Sequence, residues 1–351
     1  MSYIKKPAAR HPKLKVNSLG LTIRDYEGSM STLCAGCGHD SVTAALVQAF
    51  FELEVEPHRL AKLSGIGCSS KTPAYFVSEA HGFNAVHGRM PAVAAGANAA
   101  HRDLLYVGIS GDGDSLSIGL GQFCHAIRRN VNMLYVLENN GVYGLTKGQF
   151  SASADIGSTS KGGMANQQRP IDPVNMALSL GATFVARSFS GDKDQLIPIL
   201  KAGLSHSGFA FVDVISPCVT FNDHQGSTKS YAHTRSHMHE VIETDFVPLR
   251  TEITTEYSEG SVQGITMHDG SVVKFHKIAD EYDPTDRRAV LDYLADVGSR
   301  GEIATGLLYL EEAGVDMHGF ENTVDGPLVE IPFADLCPGS KGLEEVQKEW
   351  Q

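Results

Sequence analysis

Gly111-Asp112-Gly113-Asp114 closes an apolar run, Leu104 to Ser110, and Asn139-Asn140 follows a second, Val131 to Leu137. Short apolar runs bounded by turn residues read as strands buried on both faces. A carboxylate and a carboxamide therefore stand at the carboxyl ends of two buried strands, which describes a site for a divalent cation and the diphosphate it holds. Magnesium takes hard oxygen ligands in an octahedron, one or two from the protein and the rest from phosphate and water. Asp112 and Asn140 meet that demand. The glycines let backbone approach phosphate closely and turn where a side chain would forbid it.

This pattern resembles the diphosphate-binding motif of thiamine diphosphate enzymes, in which a Gly-Asp-Gly turn is followed after a similar interval by an asparagine pair. The resemblance implies that Asp112 and Asn140 ligate Mg2+ with their side chains and Val142 with its backbone carbonyl. It also places Gly113, Asp114, Gly144 and Leu145 along the cofactor.

The remaining elements set that motif in an α/β frame. Ser41 to Leu53 carries apolar residues at helical spacing behind a serine, so a helix follows Cys34-Ala-Gly-Cys37-Gly-His39 directly. A strand at Leu60 to Leu63 ends in Gly65-Ile66-Gly67-Cys68-Ser69-Ser70, and Pro91 to Ala100 is a small-residue helix with proline in its first turn. Strand Leu104 to Ser110, helix Ser115 to Arg129 and strand Val131 to Leu137 make a βαβ unit. Asp172 to Leu180 and Lys193 to Leu204 read as helices, and Ala182 to Ala186 and Phe209 to Ile215 as strands. Such alternation predicts a mostly parallel sheet with helices on both faces, whose ligands bind outside the carboxyl ends of the strands. Ser151 to Pro170 and Asn222 to Ser236 read as irregular. Beyond them come a strand pair around Ser261 to Val273, a helix from Asp286 to Ala295 and a strand at Gly306 to Leu310. The expected division is an arm at 1–30, a binding domain at 31–245 and a C-terminal extension at 246–351, which is either an appendage or a continuation of the main domain.

A chain of 351 residues, 42% apolar and 20% charged, has the make-up of a soluble globular protein. No uninterrupted apolar run approaches bilayer length, and Met1 to Pro7 lacks the apolar core of a secretory signal, so a cytoplasmic location is expected. The net charge of -12 argues against general nucleic-acid binding. Lys5, Lys6, Arg10, Lys13 and Lys15 form a basic patch that reads as a solvated arm, and His224, His233, His237 and His239 lack convincing metal-ligand spacing.

Six cysteines in a reducing compartment point to metal or catalysis rather than disulfides. Cys34 and Cys37 have the spacing of a ligand pair, Cys68 lies in the loop after Leu63, and Cys218 follows Ser-Pro at a strand end. All three loops fall at the same carboxyl edge, so four thiolates can meet there. Four thiolates suit an iron–sulfur cubane or structural zinc. Cys124 reads as a packed helix residue and Cys337 as a bystander.

In order, Cys-Ala-Gly-Cys-Gly-His, Gly-Ile-Gly-Cys-Ser-Ser, His87-Gly-Arg, Gly-Asp-Gly-Asp, His125-Ala-Ile-Arg-Arg-Asn130, Tyr143-Gly-Leu-Thr-Lys-Gly-Gln149 and Ser-Pro-Cys218 resemble the beta subunit of 2-oxoacid:ferredoxin oxidoreductases. The match runs from about Leu33 to Phe221. It departs at Leu33, where relatives commonly carry tryptophan, and at Gln122, where they carry histidine. The resemblance implies that Cys34, Cys37, Cys68 and Cys218 bind a 4Fe-4S cluster beside thiamine diphosphate, with Ile66, Gly67, Cys68 and Ser69 lining the cofactor. His39 and His87 are expected to contact cofactor or substrate. Lys71 would hold the distal carboxylate of 2-oxoglutarate, with Leu145 shaping the pocket; the Leu-Thr-Lys-Gly-Gln loop also resembles the 2-oxoglutarate branch.

The implied reaction is coenzyme A-dependent oxidative decarboxylation of 2-oxoglutarate with ferredoxin as electron partner, or the reverse carboxylation of succinyl-CoA; both directions use every residue named. Thiamine enzymes also need a glutamate from a pyrimidine-binding domain, and no such domain fits in the remaining residues. An obligate alpha subunit is therefore expected, in a heterodimer or a pair of them. Pyruvate or branched 2-oxoacid substrates, a nonoxidative decarboxylase with zinc, and a regulatory subunit without chemistry stand as alternatives.

Overall fold

The computed structural model describes residues 4–7, 9–159, 163–247, 262–266, 272–277, 282–311, 314–337 and 339–350. Positions 1–3 of the arm, 160–162 of the irregular segment, and 261 and 267–271 of the expected strand pair lie outside them.

The strands are β1 (Leu60–Ser64), β2 (His81–Asn84), β3 (Leu105–Gly111), β4 (Met133–Asn139), the short pair β5 (Val142–Tyr143) and β6 (Gln149–Phe150), β7 (Phe184–Phe189), β8 (Phe209–Ile215), β9 (Met238–Val247), β10 (Val262–Thr266), β11 (Val272–Lys277) and β12 (Ile303–Leu310). All but β5 and β6 join one sheet in the order β10-β11-β9-β12-β7-β8-β4-β3-β1-β2. From β2 to β7 every pairing is parallel. β12 then runs antiparallel to β7, while β9 is parallel to β12. β1, β4 and β8 are buried at every position, as strands covered on both faces must be.

The helices are α1 (Gly38–Glu52), α2 (Met90–Ala100), α3 (Leu120–Arg128), α4 (Pro173–Ser179), α5 (Lys193–Ser205), α6 (Tyr231–His237) and α7 (Arg287–Ser299), followed near the end of the described chain by α8 (Met317–Glu321), α9 (Phe333–Leu336) and α10 (Gly339–Glu349). Right-handed crossovers fix their faces. The steps from β1 to β3, β4 and β7 all proceed one way across the sheet, so α2, α3 and α4 cover one face. The step from β7 back to β8 reverses and puts α5 on the other, where it packs against α1.

Several expected boundaries move, each for a local reason. α1 starts at Gly38 rather than Ser41, because Cys37 N donates to Cys34 O at 3.0 Å and the tight turn feeds straight into the helix. The helix expected over Ser115 to Arg129 is split into a π turn over Gly113–Ile118 and then α3. Gly88 packs against Gly119 at the break, where a Cβ on Gly119 would lie 2.8 Å from the Gly88 carbonyl. The segment Asn222 to Ser236 contains the start of α6, capped by Ser230, and β9 follows at once. The expected division at 245/246 falls within β9, and the chain beyond it returns to the sheet through β12. The arm is solvated only in part: Tyr26 is fully buried against Phe51, while Lys6 pairs with Glu27 and Arg10 with Asp25.

An aromatic cluster ties α3 to the central strands. Phe123 meets Tyr135 at 5.3 Å, Phe211 at 5.2 Å and Phe209 at 6.1 Å between centroids, all edge-on. Truncating this ring removes both burial and its neighbours' contacts. Phe123→Ala should cost about 3–5 kcal/mol, read as a lowered denaturation midpoint.

Candidate functional site

A cleft of about 340 Å³ opens at the carboxyl ends of β1 to β4. Its walls carry Ile66, Gly67, Cys68 and Ser69 after β1, His87 after β2, Asp112, Gly113 and Asp114 after β3, Asn140, Val142, Gly144 and Leu145 after β4, and His39 of α1. Lys71 is not on that wall. It lies on the 3-10 turn Ser69–Ala74, where its charge acts on Cys68.

Asp112 is almost wholly buried. Its Oδ2 accepts from Gly141 N at 2.9 Å, from Ser153 Oγ at 2.6 Å and from Ser151 Oγ. Burial pushes its pKa up, against those hydrogen bonds. A carboxylate has about four acceptor positions, so three donors on one oxygen leave capacity on the other. Asn140 Oδ1 accepts from Val142 N at 3.0 Å and retains a second lone pair, and Asn222 Nδ2 holds the Asn140 carbonyl at 2.8 Å. Two hard oxygens thus share a cleft beside glycine backbone, a donor set that fits Mg2+ and diphosphate.

Asp114 is occupied by the protein itself. Gly88 N donates to Oδ1 at 2.7 Å and Ser110 Oγ to Oδ2 at 2.8 Å. A Cβ on Gly65 would sit 1.8 Å from the same Oδ2, so the β1, β2 and β3 loops all close on this one carboxylate. On the opposite wall the Tyr143 hydroxyl donates to Gly113 O at 3.1 Å, and a Cβ on Gly113 would meet the tyrosine ring at 2.4 Å.

The four cysteines of the expected cluster converge on the loop after β8. Cys68 and Cys218 sulfurs both lie 3.5 Å from where a Gly144 Cβ would stand. Thr220 Oγ1 donates to Cys34 Sγ at 3.2 Å, and Gly38 N to Pro217 O at 3.2 Å, seating the Cys34–Cys37 turn on the Cys218 turn. Burial pushes Cys37 up to about 12, with Glu138 and Cys218 adding to the rise. Burial and then Cys218 likewise raise Cys68. Among the described residues no three His, Cys, Asp or Glu side chains gather as if around a single ion. The thiols are nonetheless close enough to feel one another: Cys218 acts on Cys37 and Cys68, and Cys34 on Cys68 and Cys218. Cys124 is half-buried against Met176 and Cys337 is exposed.

His39 lines the cleft, but its Nδ1 is 2.6 Å from Ser216 Oγ and 3.7 Å from Glu138. Burial lowers its pKa to about 4, so the ring is neutral at pH 7. His87 is exposed at the rim. Glu138 is fully buried, accepts from Thr72 Oγ1 through both oxygens, and has its pKa raised well above normal by that burial. Ser151, Ser153, Asn222 and Glu138 escape sequence reasoning. Only the two serines carry a signal, their position directly after Gln149 of the Tyr143 to Gln149 motif.

The family profile described as "Thiamine pyrophosphate enzyme, C-terminal TPP binding domain" matches residues 65–214. The chain is 42% identical over 192 residues to the 2-oxoglutarate oxidoreductase subunit KorB of Mycobacterium tuberculosis, covering 54% of this chain and 51% of that one. It is 36% identical over 189 residues to the 2-oxoglutarate synthase subunit KorB of Methanocaldococcus jannaschii, covering 54% and 69%. Among solved structures it resembles a 2-oxoglutarate:ferredoxin oxidoreductase from Magnetococcus marinus with 2-oxoglutarate, coenzyme A and succinyl-CoA bound, with a TM-score of 0.70, 31% identity, and 88% and 90% of the two chains covered. The chain spans about half the length of the M. tuberculosis relative.

The packing at Gly113 and Gly65 leaves no room for a methyl group. Gly113→Ala should displace Tyr143, and Gly65→Ala should drive Asp114 from its seat. Each should weaken thiamine diphosphate retention by about tenfold or more, measured by equilibrium dialysis with Mg2+.

Proposed function

The chain belongs to the family of 2-oxoacid:ferredoxin oxidoreductase beta subunits, and on that footing we propose that it serves the coenzyme A-dependent oxidative decarboxylation of 2-oxoglutarate, or its reversal, with ferredoxin as electron partner. The observation that carries this reading is the place of Gly144. It lines the cofactor cleft together with Cys68, and a Cβ built on it would stand 3.5 Å from the sulfurs of both Cys68 and Cys218. A cofactor in the cleft and a cluster on the thiols would be separated by little more than one backbone.

Thiamine diphosphate, when bound, supplies the carbon nucleophile and electron sink for losing carbon dioxide from a 2-oxoacid, and a 4Fe-4S cluster takes electrons singly. The residues of this chain supply position. Asp112, Asn140 and the Val142 carbonyl hold Mg2+ and through it the diphosphate. Gly113, clamped by Tyr143, keeps the phosphate loop flat against it. Cys34, Cys37, Cys68 and Cys218 hold the cluster. His39, neutral and tied to Ser216, orients the floor of the cleft, and His87 stands where a substrate enters.

Phe83, Val86, Ile118 and Leu145 are 41% to 70% exposed and belong to the segments around the cleft mouth. Apolar side chains grouped at a polar cleft mark a surface that another protein covers. The alpha subunit, with the pyrimidine-binding domain and its glutamate, is the partner that fits there, and it brings Lys71 and Leu145 to the substrate. No helix among the described residues is long and apolar enough to cross a membrane.

Anaerobic co-purification with the alpha subunit should give a brown complex that reduces a viologen dye with 2-oxoglutarate and coenzyme A. A complex that reduces no dye with any 2-oxoacid contradicts the assignment. Lys71→Met should raise KM for 2-oxoglutarate by about tenfold or more, the loss of about 1.4 kcal/mol of binding, while leaving pyruvate turnover unchanged. An equal loss for both substrates rules out a distal-carboxylate role.

A further inference from the structure

Behind Asp112 runs a buried chain of polar side chains drawn from strands far apart in sequence. Arg187 on β7 and Asp213 on β8 are register partners, with Arg187 Nε 2.8 Å from Asp213 Oδ2. Arg187 Nη2 also reaches Asp172 Oδ1 at 2.8 Å. Asp213 Oδ1 accepts from Asn139 Nδ2 at 3.0 Å. On the far side of that amide, Ser153 Oγ lies 2.9 Å from Asn139 Oδ1 and 2.6 Å from Asp112 Oδ2. Asp213, Asn139, Ser153 and Asp112 are each no more than 2% exposed. Asn139 and Asn140, consecutive at the end of β4, face opposite ways. One amide lines the cofactor cleft; the other lines a separate cavity of about 400 Å³ together with Ser153, Arg187 and Asp213.

Donor counting gives this chain a direction. An ionised carboxylate only accepts, so Asp213 forces the Asn139 amide to present nitrogen to it and oxygen to Ser153. Ser153 has one hydroxyl proton and three acceptors in range: Asp112 at 2.6 Å, Asn139 at 2.9 Å and, farthest, the Ser151 hydroxyl at 3.1 Å, which itself donates to Asp112. We infer that Asp213, fixed by Arg187, is a positioning residue that keeps Asn139 Oδ1 aimed at Ser153, so that the serine can turn its proton away from Asp112 when a cation binds. The step is a hydroxyl rotation with no proton transfer. It rests on the reading of Asp112 as the Mg2+ ligand and adds a device that frees the ligand's charge.

Asp213→Asn reverses the relay by the same counting. Arg187 only donates, so the new amide must turn its oxygen to Arg187 and its nitrogen to Asn139. Asn139 must then flip and offer its own nitrogen to Ser153. Ser153 then keeps only Asp112 and the more distant Ser151 hydroxyl as acceptors, and its proton stays on the nearer and charged one, Asp112, in competition with the metal.

The test is the Mg2+ dissociation constant of the assembled alpha–beta complex at saturating thiamine diphosphate, by calorimetry, with the thermal midpoint recorded alongside. Asp213→Asn should weaken Mg2+ by about tenfold or more, within the range found for residues behind metal ligands. Adding Ser153→Ala to it should return Mg2+ affinity to within about threefold of Ser153→Ala alone, since the competing proton is gone. Asn139→Leu removes the second acceptor while sparing the ion pair, and carries the same expectation if Asp213→Asn fails to assemble. An Asp213→Asn complex that binds Mg2+ within about twofold of the native one overturns the relay. So does a double variant as weak as Asp213→Asn or weaker, which would mark a merely structural role. A native complex that binds no Mg2+ overturns the metal site and the relay with it.

Discussion

One buried carboxylate holds the working edge of this sheet together. Asp114 draws the Gly88 amide, the Ser110 hydroxyl and the Gly65 backbone onto a single side chain. Gly88 and Gly65 belong to the loops after β2 and β1, Ser110 to the end of β3 itself, and Asp114 to the turn that follows it, so three strand ends that wall the cleft meet at one side chain. A buried carboxylate satisfied on both oxygens is stable only with its donors in place, so the loops cannot drift apart without exposing an unpaired charge. The π turn over Gly113–Ile118 follows from the same constraint: the chain must reach Asp114 and then step around Gly88 before α3 can begin.

The interior beneath the cleft is sharply sorted by protonation. Burial lowers His39 and raises Glu138, Asp112, Cys37, Cys68 and Cys218. These shifts all favour the uncharged form, as desolvation requires. Arg187 and its partner Asp172 are exceptions, as is Asp155 beside Lys229: there the opposite charge outweighs burial. A lasting ion pair between Arg187 and Asp213 thus lies one layer behind the ligand-bearing edge, on the central strands β7 and β8.

Much of this was legible in the chain because buried parallel strands announce themselves. The runs leading to Gly111 and Asn139, and Phe209–Ile215 apart from Asp213, are almost wholly apolar without alternation, and the cleft residues Asp112 and Asn140 come directly after the first two. The four thiol positions were legible for the same reason, since each sits in a loop at that edge. What escaped depends on distance rather than pattern. Ser151 and Ser153 lie in a segment with no regular element, and Asn222 acts through a turn set by Cys218. Nothing local predicts that Arg187 and Asp213 fall opposite each other, because that depends on the β7–β8 register. β2 carries little strand signal because it is short and exposed at all four positions as the sheet's edge, and β9 because charged residues interrupt its apolar ones.

Gly144 has a consequence beyond the space it leaves. A Cβ built there would rest 3.5 Å from the sulfurs of both Cys68 and Cys218, at ordinary contact distance. Any branch longer than a methyl group would press on both thiols at once, so two loops distant in the chain share one small volume at this point.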